Sequence, residues 1–395
     1  MTRTQRSILA FLSVAACFLV SLVGLAGYRT YETLWSAPLG PAIEMATSTW
    51  SLPPTWTATP PELISTSGPT STFGPTSTLN PTITLAPTNT PVGSVYCGGP
   101  PTMTVLTVGT DARSNSYLYG LADVIRIVRV DFVNARVAIL EFPRDLWVEI
   151  PDIADNINGQ DHEKLNQAYL YGNPGFGYYD GPGAGPGLLA RTLALNFGLV
   201  PDRYLAVNMR TFEKVVDAVG GIVVDLPNGI DGRTAKDRSA RLVFPPGKQT
   251  LNGEQALTLA RIRNEGVFER AHNQNTVLCA LQEKLTSPTV IVQIPALIKS
   301  FEGAVQTDLT PEQIAQLACI GTKVRSEDIT FVSFPQELFK QARIFDPVFD
   351  ARVFIWDVDY DILRDYVSRF NAGTWPTPDI ASADETDEET ASTCP

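Results

Sequence analysis

The chain has 395 residues, with 30 Lys and Arg against 42 Asp and Glu and a formal net charge of −12. That acidity, with no basic stripe, argues against a nucleic-acid partner. Only two histidines are present, and no pair among the five cysteines has zinc-site spacing, which argues against a His-based metal site or a Ser-His-Asp hydrolase.

At the N-terminus, Arg3 and Arg6 precede an uncharged run from Ile8 to Tyr28, about the length that crosses a bilayer core. A cleavable signal peptide is the competing reading, but no small-x-small site ends the run. Residues 1–28 are therefore expected to be a cytoplasmic tip and one transmembrane helix, with everything after Tyr28 outside the cell. Residues 29–94 follow as a stalk. From Thr47 to Val92 the chain is dominated by Thr, Pro and Ser, with Gly-Pro-Thr-Ser-Thr at both 68–72 and 74–78. Such a composition stays disordered or extended, and as a semi-rigid spacer it would hold a domain well away from the bilayer.

Residues 95–375 are long enough for one large domain, and 376–395 read as a disordered acidic tail around Asp384–Glu389. Met103–Val108, Val124–Phe132 and Arg136–Phe142 read as strands. Glu163–Gly172 and Leu188–Phe197 read as helices, Tyr204–Val207 as a strand, Thr211–Val219 as a helix stopped by Gly220-Gly221, and Ile222–Leu226 as a strand. Helices are expected from Asn252 or Gly253, through Arg270–Leu285, at about 289–302, at 311–323 and near Tyr360–Phe370, with strands at 329–334 and Val353–Trp356. Strands interleaved with helices indicate an α/β fold with a sheet covered on both faces, and the hairpin-like second and third strands make that sheet mixed. Outside the anchor lie Cys97, Cys279, Cys319 and Cys394, consistent with two disulfides; the expected pairing is Cys279 with Cys319 and Cys97 with Cys394.

The chemistry-bearing residues sit on short motifs. Asp111 follows the first strand on a glycine turn, where ligands bind α/β sheets, and Asp123 stands before the second strand. Hard oxygen donors without Cys or His suit Mg²⁺ or Mn²⁺; a plain turn or capping role is the alternative. Arg144 ends the third strand, where it faces either a ligand or its neighbour Asp145. Arg261 and Arg263, one residue apart, reach one anion only if a helix ends there, as Asn264-Glu265-Gly266 suggests; surface salt bridging is the alternative.

The order of these motifs resembles the LytR-CpsA-Psr family of wall-polymer transferases. The matching segments are Leu106–Arg113, Ala122-Asp123, Phe142–Asp145, Lys164–Tyr169, Val207-Asn208, Val216–Gly221, Gly247–Gly253, Ala256–Arg263, Arg270 and Gln274. The resemblance implies an α/β/α sandwich with a central mixed sheet, an apolar pocket for a polyprenyl chain, and a pyrophosphate site at its mouth. It implies a Mg²⁺-dependent phosphotransferase, anchored in the membrane, that moves a glycopolymer from a polyprenyl-pyrophosphate carrier to peptidoglycan. Asp111 and Asp123 would hold the metal, and Arg144, Arg261 and Arg263 would act on the pyrophosphate. Arg113, Lys164, Arg270 and Gln274 would support substrate binding. Three positions depart from the family pattern: Leu121 and Asn273 stand where arginines are usual, and Val267 where an aspartate is. A lipid-pyrophosphate hydrolase and a non-catalytic carrier-binding scaffold are the competing functions. A transcriptional regulator has no physical basis in an acidic extracytoplasmic domain without a DNA-binding motif.

Overall fold

The computed structural model describes residues 36–43, 94–376 and 391–394, except 115, 265–266, 294–295, 298–299 and 302. The expected anchor, most of the stalk and the acidic run of the tail lie outside the described residues. Among the described residues, no helix is long and apolar enough to cross a membrane.

Strands β1 (Thr102–Thr110), β2 (Ala122–Asp131) and β3 (Arg136–Glu141) form an antiparallel meander. A short pair, β4 (Trp147–Glu149) with β5 (His162–Lys164), follows and leads into helices α1 (Leu165–Gly172) and α2 (Ala184–Phe197). The helix expected from Glu163 therefore starts two residues later, because His162–Lys164 pairs in extended form with Trp147–Glu149. Strand β6 (Arg203–Asn208) returns parallel to β1 and hands over to α3 (Met209–Ala218), whose first turn is capped by the Asn208 side chain.

The expected strand Ile222–Leu226 (β7) exists but stands outside the main sheet. After a small ribbon of β8 (Ile230–Asp231) and β9 (Val243–Phe244), β7 pairs with β10 (Gly247–Leu251). Helices α4 (Gly253–Leu259), α5 (Val267–Leu285) and α6 (Pro288–Ile291) come next. Strand β11 (Gln306–Thr307), helix α7 (Pro311–Gly321) and strand β12 (Ile329–Ser333) complete the middle of the chain. A hairpin of β13 (Lys340–Asp346) and β14 (Ala351–Asp357) precedes α8 (Tyr360–Ala372), and β15 (Ala391–Thr393) closes the described chain.

The seven-stranded sheet runs β11-β6-β1-β2-β3-β12-β15 and is mixed: β6 lies parallel to β1 and β12 parallel to β3, while the other pairs are antiparallel. Both faces are covered, which explains why β1 is apolar at consecutive positions rather than at alternate ones. Leu106 and Val108 of β1, with Ile125 and Ile127 of β2, pack against α1, α2 and α8. Met103 and Val105 point to the opposite face, against Cys279 of α5 and Ile320 of α7. A third cluster joins β7, β10, α3, α4 and α5 through Val216, Ile222, Val224, Leu259, Ile262 and Val277. Each such fully buried aliphatic contributes about 1.5–3 kcal/mol.

Two expectations are corrected. The disulfides join Cys97 to Cys319 and Cys279 to Cys394, not Cys279 to Cys319 and Cys97 to Cys394. The turn at Tyr96–Gly98 packs on α7, where Gln316 donates to the Gly98 carbonyl at 3.0 Å, so Cys97 meets Cys319. The second pair follows from the chain end: β15 adds to β12, bringing Cys394 to α5. The tail is accordingly not solvated to its end, since residues 391–394 are sheet and disulfide.

Candidate active site

Parallel alignment of β1, β3 and β6 puts their C-terminal ends at one edge of the sheet. Asp111 leaves that edge just after β1. Its Oδ1 accepts the Leu121 amide at 2.7 Å, and its own amide donates to the Leu121 carbonyl at 3.2 Å. This reciprocal pair closes the loop between β1 and β2 and sets Asp111 beside the start of β2. Gly120 makes the closure possible: at φ +149° a Cβ there would stand 2.6 Å from Thr110 Oγ1 and 2.8 Å from the Ala112 amide. Asp111 and Asp123 thus both lie where β1 ends and β2 begins, and Leu121 serves as the backbone clip between them.

Arg144, on the turn after β3, forms a close ion pair with Asp123 and reaches Asp145 Oδ2 at 3.4 Å. Lys164 at the end of β5 donates to Asp145 Oδ1 at 2.9 Å. The backbone of this turn is held in turn by the hairpin, with the Trp356 amide donating to the Asp145 carbonyl at 3.1 Å. Burial alone would lower the Arg144 pKa, but the Asp123 and Asp145 carboxylates more than offset it, so the pKa is raised. Of the two alternatives offered by the sequence, the structure has Arg144 beside Asp145, and it adds Asp123 as a closer partner.

Arg270 on α5 lies in the same field. Burial lowers its pKa, the nearby Arg144 lowers it further, Glu141 and Asp123 oppose, and Arg263 adds to the lowering. Gln274, one turn along α5, accepts from Arg126 Nη2 at 3.1 Å, and Arg126 also pairs with Glu141 at 2.7 Å. The sequence marked Arg126 only as a strand residue off register with Arg129, one of the two facing solvent, and did not single out Glu141. They face each other across the β2–β3 register, which is the one signal that would have flagged them.

Arg261 and Arg263 follow the end of α4, as the sequence expectation required. Ile262 between them is buried in the third cluster, while both arginines are exposed. The motif is a plug flanked by two outward cations. Asn273 is buried and points its amide at the Ile262 carbonyl, at 3.4 Å, so its position ties α5 to the plug. Arg113 is exposed in the loop after β1. Among the described residues, no hydrogen bond or ion pair joins Arg113 or Arg261 to the Asp123–Arg144 network.

The cluster carries one excess positive charge, with Arg126, Arg144, Lys164 and Arg270 set against Asp123, Asp145 and Glu141. Among the described residues, no group of three or more His, Cys, Asp or Glu side chains forms a closed cation cage. Two carboxylates at the sheet edge fit only a hard cation that fills its remaining positions with water and substrate oxygens, which is the habit of Mg²⁺.

Beside Lys164, Glu163 is fully buried and faces the buried Asp346 at the end of β13. Asp346 Oδ1 accepts the Val348 amide at 2.9 Å. The Glu163 carboxyl has the Asp346 side chain and the Lys164 backbone amide beside it. Two carboxylates can bond each other only if one is protonated, and burial together with the Asp346 charge pushes the Glu163 pKa up to about 8. The folded protein therefore keeps a proton that the unfolded chain releases near pH 4.5. That stability is fully present below pH 4.5 and is lost as pH rises through about 8. Glu163→Gln is expected to flatten this decline and raise Tm at pH 8 by on the order of 5 °C. Melting curves from pH 5 to 9 with an unchanged slope would place the proton elsewhere.

The model of the LytR_cpsA_psr family matches residues 96–354. Over 218 residues the chain is 28% identical to the regulatory protein MsrR of Staphylococcus aureus, covering 54% of this chain and 58% of MsrR. It is 30% identical over 210 residues to the polyisoprenyl-teichoic acid–peptidoglycan teichoic acid transferase TagV of Bacillus subtilis, covering 52% of this chain and 49% of TagV. These matches thus span only a little over half, or about half, of each relative's length. The crystal structure of B. subtilis TagV superposes with a TM-score of 0.51 at 23% identity, over 68% of this chain and 96% of that one.

Proposed function

The chain belongs to the LytR-CpsA-Psr family, and from that premise we propose that it is an extracytoplasmic phosphotransferase moving a glycopolymer from a polyprenyl-pyrophosphate carrier to peptidoglycan. The observation that carries this reading is the convergence of Asp123, Arg144, Asp145, Lys164 and Arg270 at the sheet edge next to Asp111 and Arg263. TagV, a relative, is named for transferring teichoic acid to peptidoglycan, which supports the same class of donor and acceptor.

Phosphoryl transfer is mostly a matter of positioning and of neutralising charge on the transferred and leaving groups. In the proposed reaction a wall sugar hydroxyl attacks the phosphorus that bears the polymer. The hydroxyl proton is lost, a phosphodiester forms, and polyprenyl phosphate departs. Arg144 and Arg270 would hold the leaving phosphate, Arg263 and Arg261 would screen it from the exposed side, and Lys164 would keep Asp145 from competing for Arg144. Lys164, Arg270 and Gln274 thus act as binding and orienting groups, with Arg113 at the outer rim. One excess positive charge does not neutralise a multiply charged pyrophosphate, so the reading calls for further positive charge. Mg²⁺ held by Asp111 and Asp123 would supply that charge.

Asp111→Ala is expected to raise the Mg²⁺ concentration needed for half-maximal turnover by about tenfold or more, with the fold intact. Turnover identical to the parent at limiting Mg²⁺ would remove Asp111 from the metal site. Membrane attachment through Ile8–Tyr28 belongs to the same proposal. A hydrolase, with water in place of the sugar hydroxyl, uses the same residues and is separated from the transferase by the fate of the polymer.

A further inference from the structure

The ribbon of β8 and β9, with the loop between its strands, rests on the Ile262 plug. Gly232 follows β8, and its amide donates to the Leu242 carbonyl at 2.8 Å. A Cβ on Gly232 would stand 2.5 Å from Ile262 Cδ1, so glycine lets the ribbon backbone close onto the plug. Asn264, next after Arg263, donates its side-chain amide to the Asp231 carbonyl at 2.8 Å and to the Arg233 carbonyl at 3.3 Å. The loop is therefore fixed to the segment that carries Arg261 and Arg263.

The charges of that loop are sorted. From Asp231 to Arg241 four cations, Arg233, Lys236, Arg238 and Arg241, stand against two carboxylates, in a chain whose net charge is −12. Both carboxylates are used inside the loop. Asp231 accepts the Arg233 amide at 3.0 Å and pairs with the guanidinium of the same residue at 2.6 Å. Asp237 accepts the Ser239 amide at 3.0 Å and pairs with Arg241 at 3.0 Å. Thr234 Oγ1 closes the turn by accepting the Lys236 and Asp237 amides at 3.3 and 3.1 Å. Lys236 and Arg238 are exposed, and among the described residues they make no ion pair, as is also true of Arg261 and Arg263. An ordered loop thus presents unpaired cations to solvent beside the two exposed arginines of the plug. Arg263 in turn acts on Arg270 of the proposed phosphate site.

We infer that the β8–β9 loop is a second contact site for the donor, in which Lys236 and Arg238 grip anionic groups on the repeats of the glycopolymer and select for a charged polymer. This rests on the proposed reading of Arg144, Arg263 and Arg270 as the pyrophosphate site. Polymer bonded to that phosphate has to leave on the exposed side, where Arg261, Arg263 and the loop stand. Phosphodiesters and uronate carboxylates share the chemistry required: repeating oxyanions that a guanidinium takes through paired N–H groups and an ammonium as a point charge. A bilayer surface fits less well, because no aromatic residue lies between Asp231 and Val243 to anchor at an interface. The loop falls between Val216–Gly221 and Gly247–Gly253, two segments that carry the family resemblance. That placement suits a role in choosing the polymer instead of in the shared chemistry.

The test uses the full-length protein in detergent micelles and lipid-free oligomers of equal length: poly(glycerol phosphate), oligogalacturonate and a neutral dextran. Titration calorimetry is expected to show binding of a charged oligomer that weakens with salt, and none of dextran. Which charged oligomer binds identifies phosphodiester or carboxylate as the group that is read. Lys236→Ala with Arg238→Ala should weaken this binding about five- to tenfold at unchanged Tm, since neither side chain is paired. Lys236→Glu with Arg238→Glu should abolish it, and Lys236→Arg should retain it. In kinetics, the alanine pair should raise KM for a donor that carries the long charged polymer and leave KM for a single-sugar donor unchanged. Equal affinity of parent and alanine pair, no binding of either charged oligomer, or equal binding of dextran overturns the inference. So does binding confined to phosphatidylglycerol vesicles, which would assign the loop to the membrane. Arg144→Ala keeps the two readings apart: oligomer binding should stay at the parental level while turnover falls. A protein that binds the charged oligomer through Lys236 and Arg238 yet transfers nothing counts against the transferase reading and leaves the loop site standing.

Discussion

Arg144→Ala is expected to lower glycopolymer transfer by about 10²–10³-fold, mainly in kcat, because the lost group acts on charge that develops as the leaving phosphate departs. Two further effects add to the loss of the cation. Asp123 loses its close partner, and Asp145 keeps only Lys164 at 2.9 Å, so the site loses its excess positive charge and holds the pyrophosphate less well. Arg144→Lys separates these effects. It restores charge near Asp123 but lacks the planar fork, so it should recover binding more than turnover. The fold should survive, since Arg144 lies on a turn whose backbone is held by the hairpin through Trp356. Steady-state kinetics with a lipid-pyrophosphate donor, paired with melting curves, make the check. Parental turnover in a folded Arg144→Ala protein would remove this arginine from the chemistry.

Opening both disulfides is expected to produce the largest loss of stability. Cys97–Cys319 closes 222 residues and Cys279–Cys394 closes 115, so both constrain long stretches of the unfolded chain. Each native bridge of this kind contributes about 2–5 kcal/mol. Cys279 lies on the helix that carries Arg270 and Gln274, about two and a half turns beyond the first and about one and a half beyond the second. Breaking Cys279–Cys394, as in Cys394→Ser with Cys279→Ser, should therefore lower substrate affinity as well as Tm. Breaking Cys97–Cys319 should lower Tm with little effect on affinity, since that bridge ties the entry turn to α7. Equal melting temperatures with and without reductant would show that neither bridge carries load in solution.

What was legible in the sequence was whatever sits where regular structure stops. Asp111, Asp123 and Arg144 stand at strand ends, and strand periodicity located those ends to within a residue or two. That a helix stops near Arg261 and Arg263 was legible, but not where: α4 ends at Leu259, before both arginines, whereas Asn264-Glu265-Gly266 lies after them. The inside of strands was not. Arg126 and Glu141 look like outward positions until the β2–β3 register and α5 cover them. Asn273 reads as a missing arginine, yet its place is buried against the Ile262 carbonyl, where a guanidinium would have to displace the packing. The β13 strand was missed because Lys340, Gln341 and Arg343 are polar, and its apolar character is confined to one edge. The disulfide pairing depended on where two chain ends land on the sheet, which residue spacing does not encode.

The measurement that tests the central claim most directly follows both halves of the donor. The purified full-length protein, Mg²⁺, a polyprenyl-pyrophosphate-linked glycopolymer and peptidoglycan are combined, and wall-bound polymer and polyprenyl phosphate are quantified together. The account predicts that the two appear in equal amounts, and that Arg144→Ala suppresses both. Polyprenyl phosphate released with free polymer phosphate and an unmodified wall would contradict transfer and identify a hydrolase. Tight donor binding with neither product would contradict catalysis altogether.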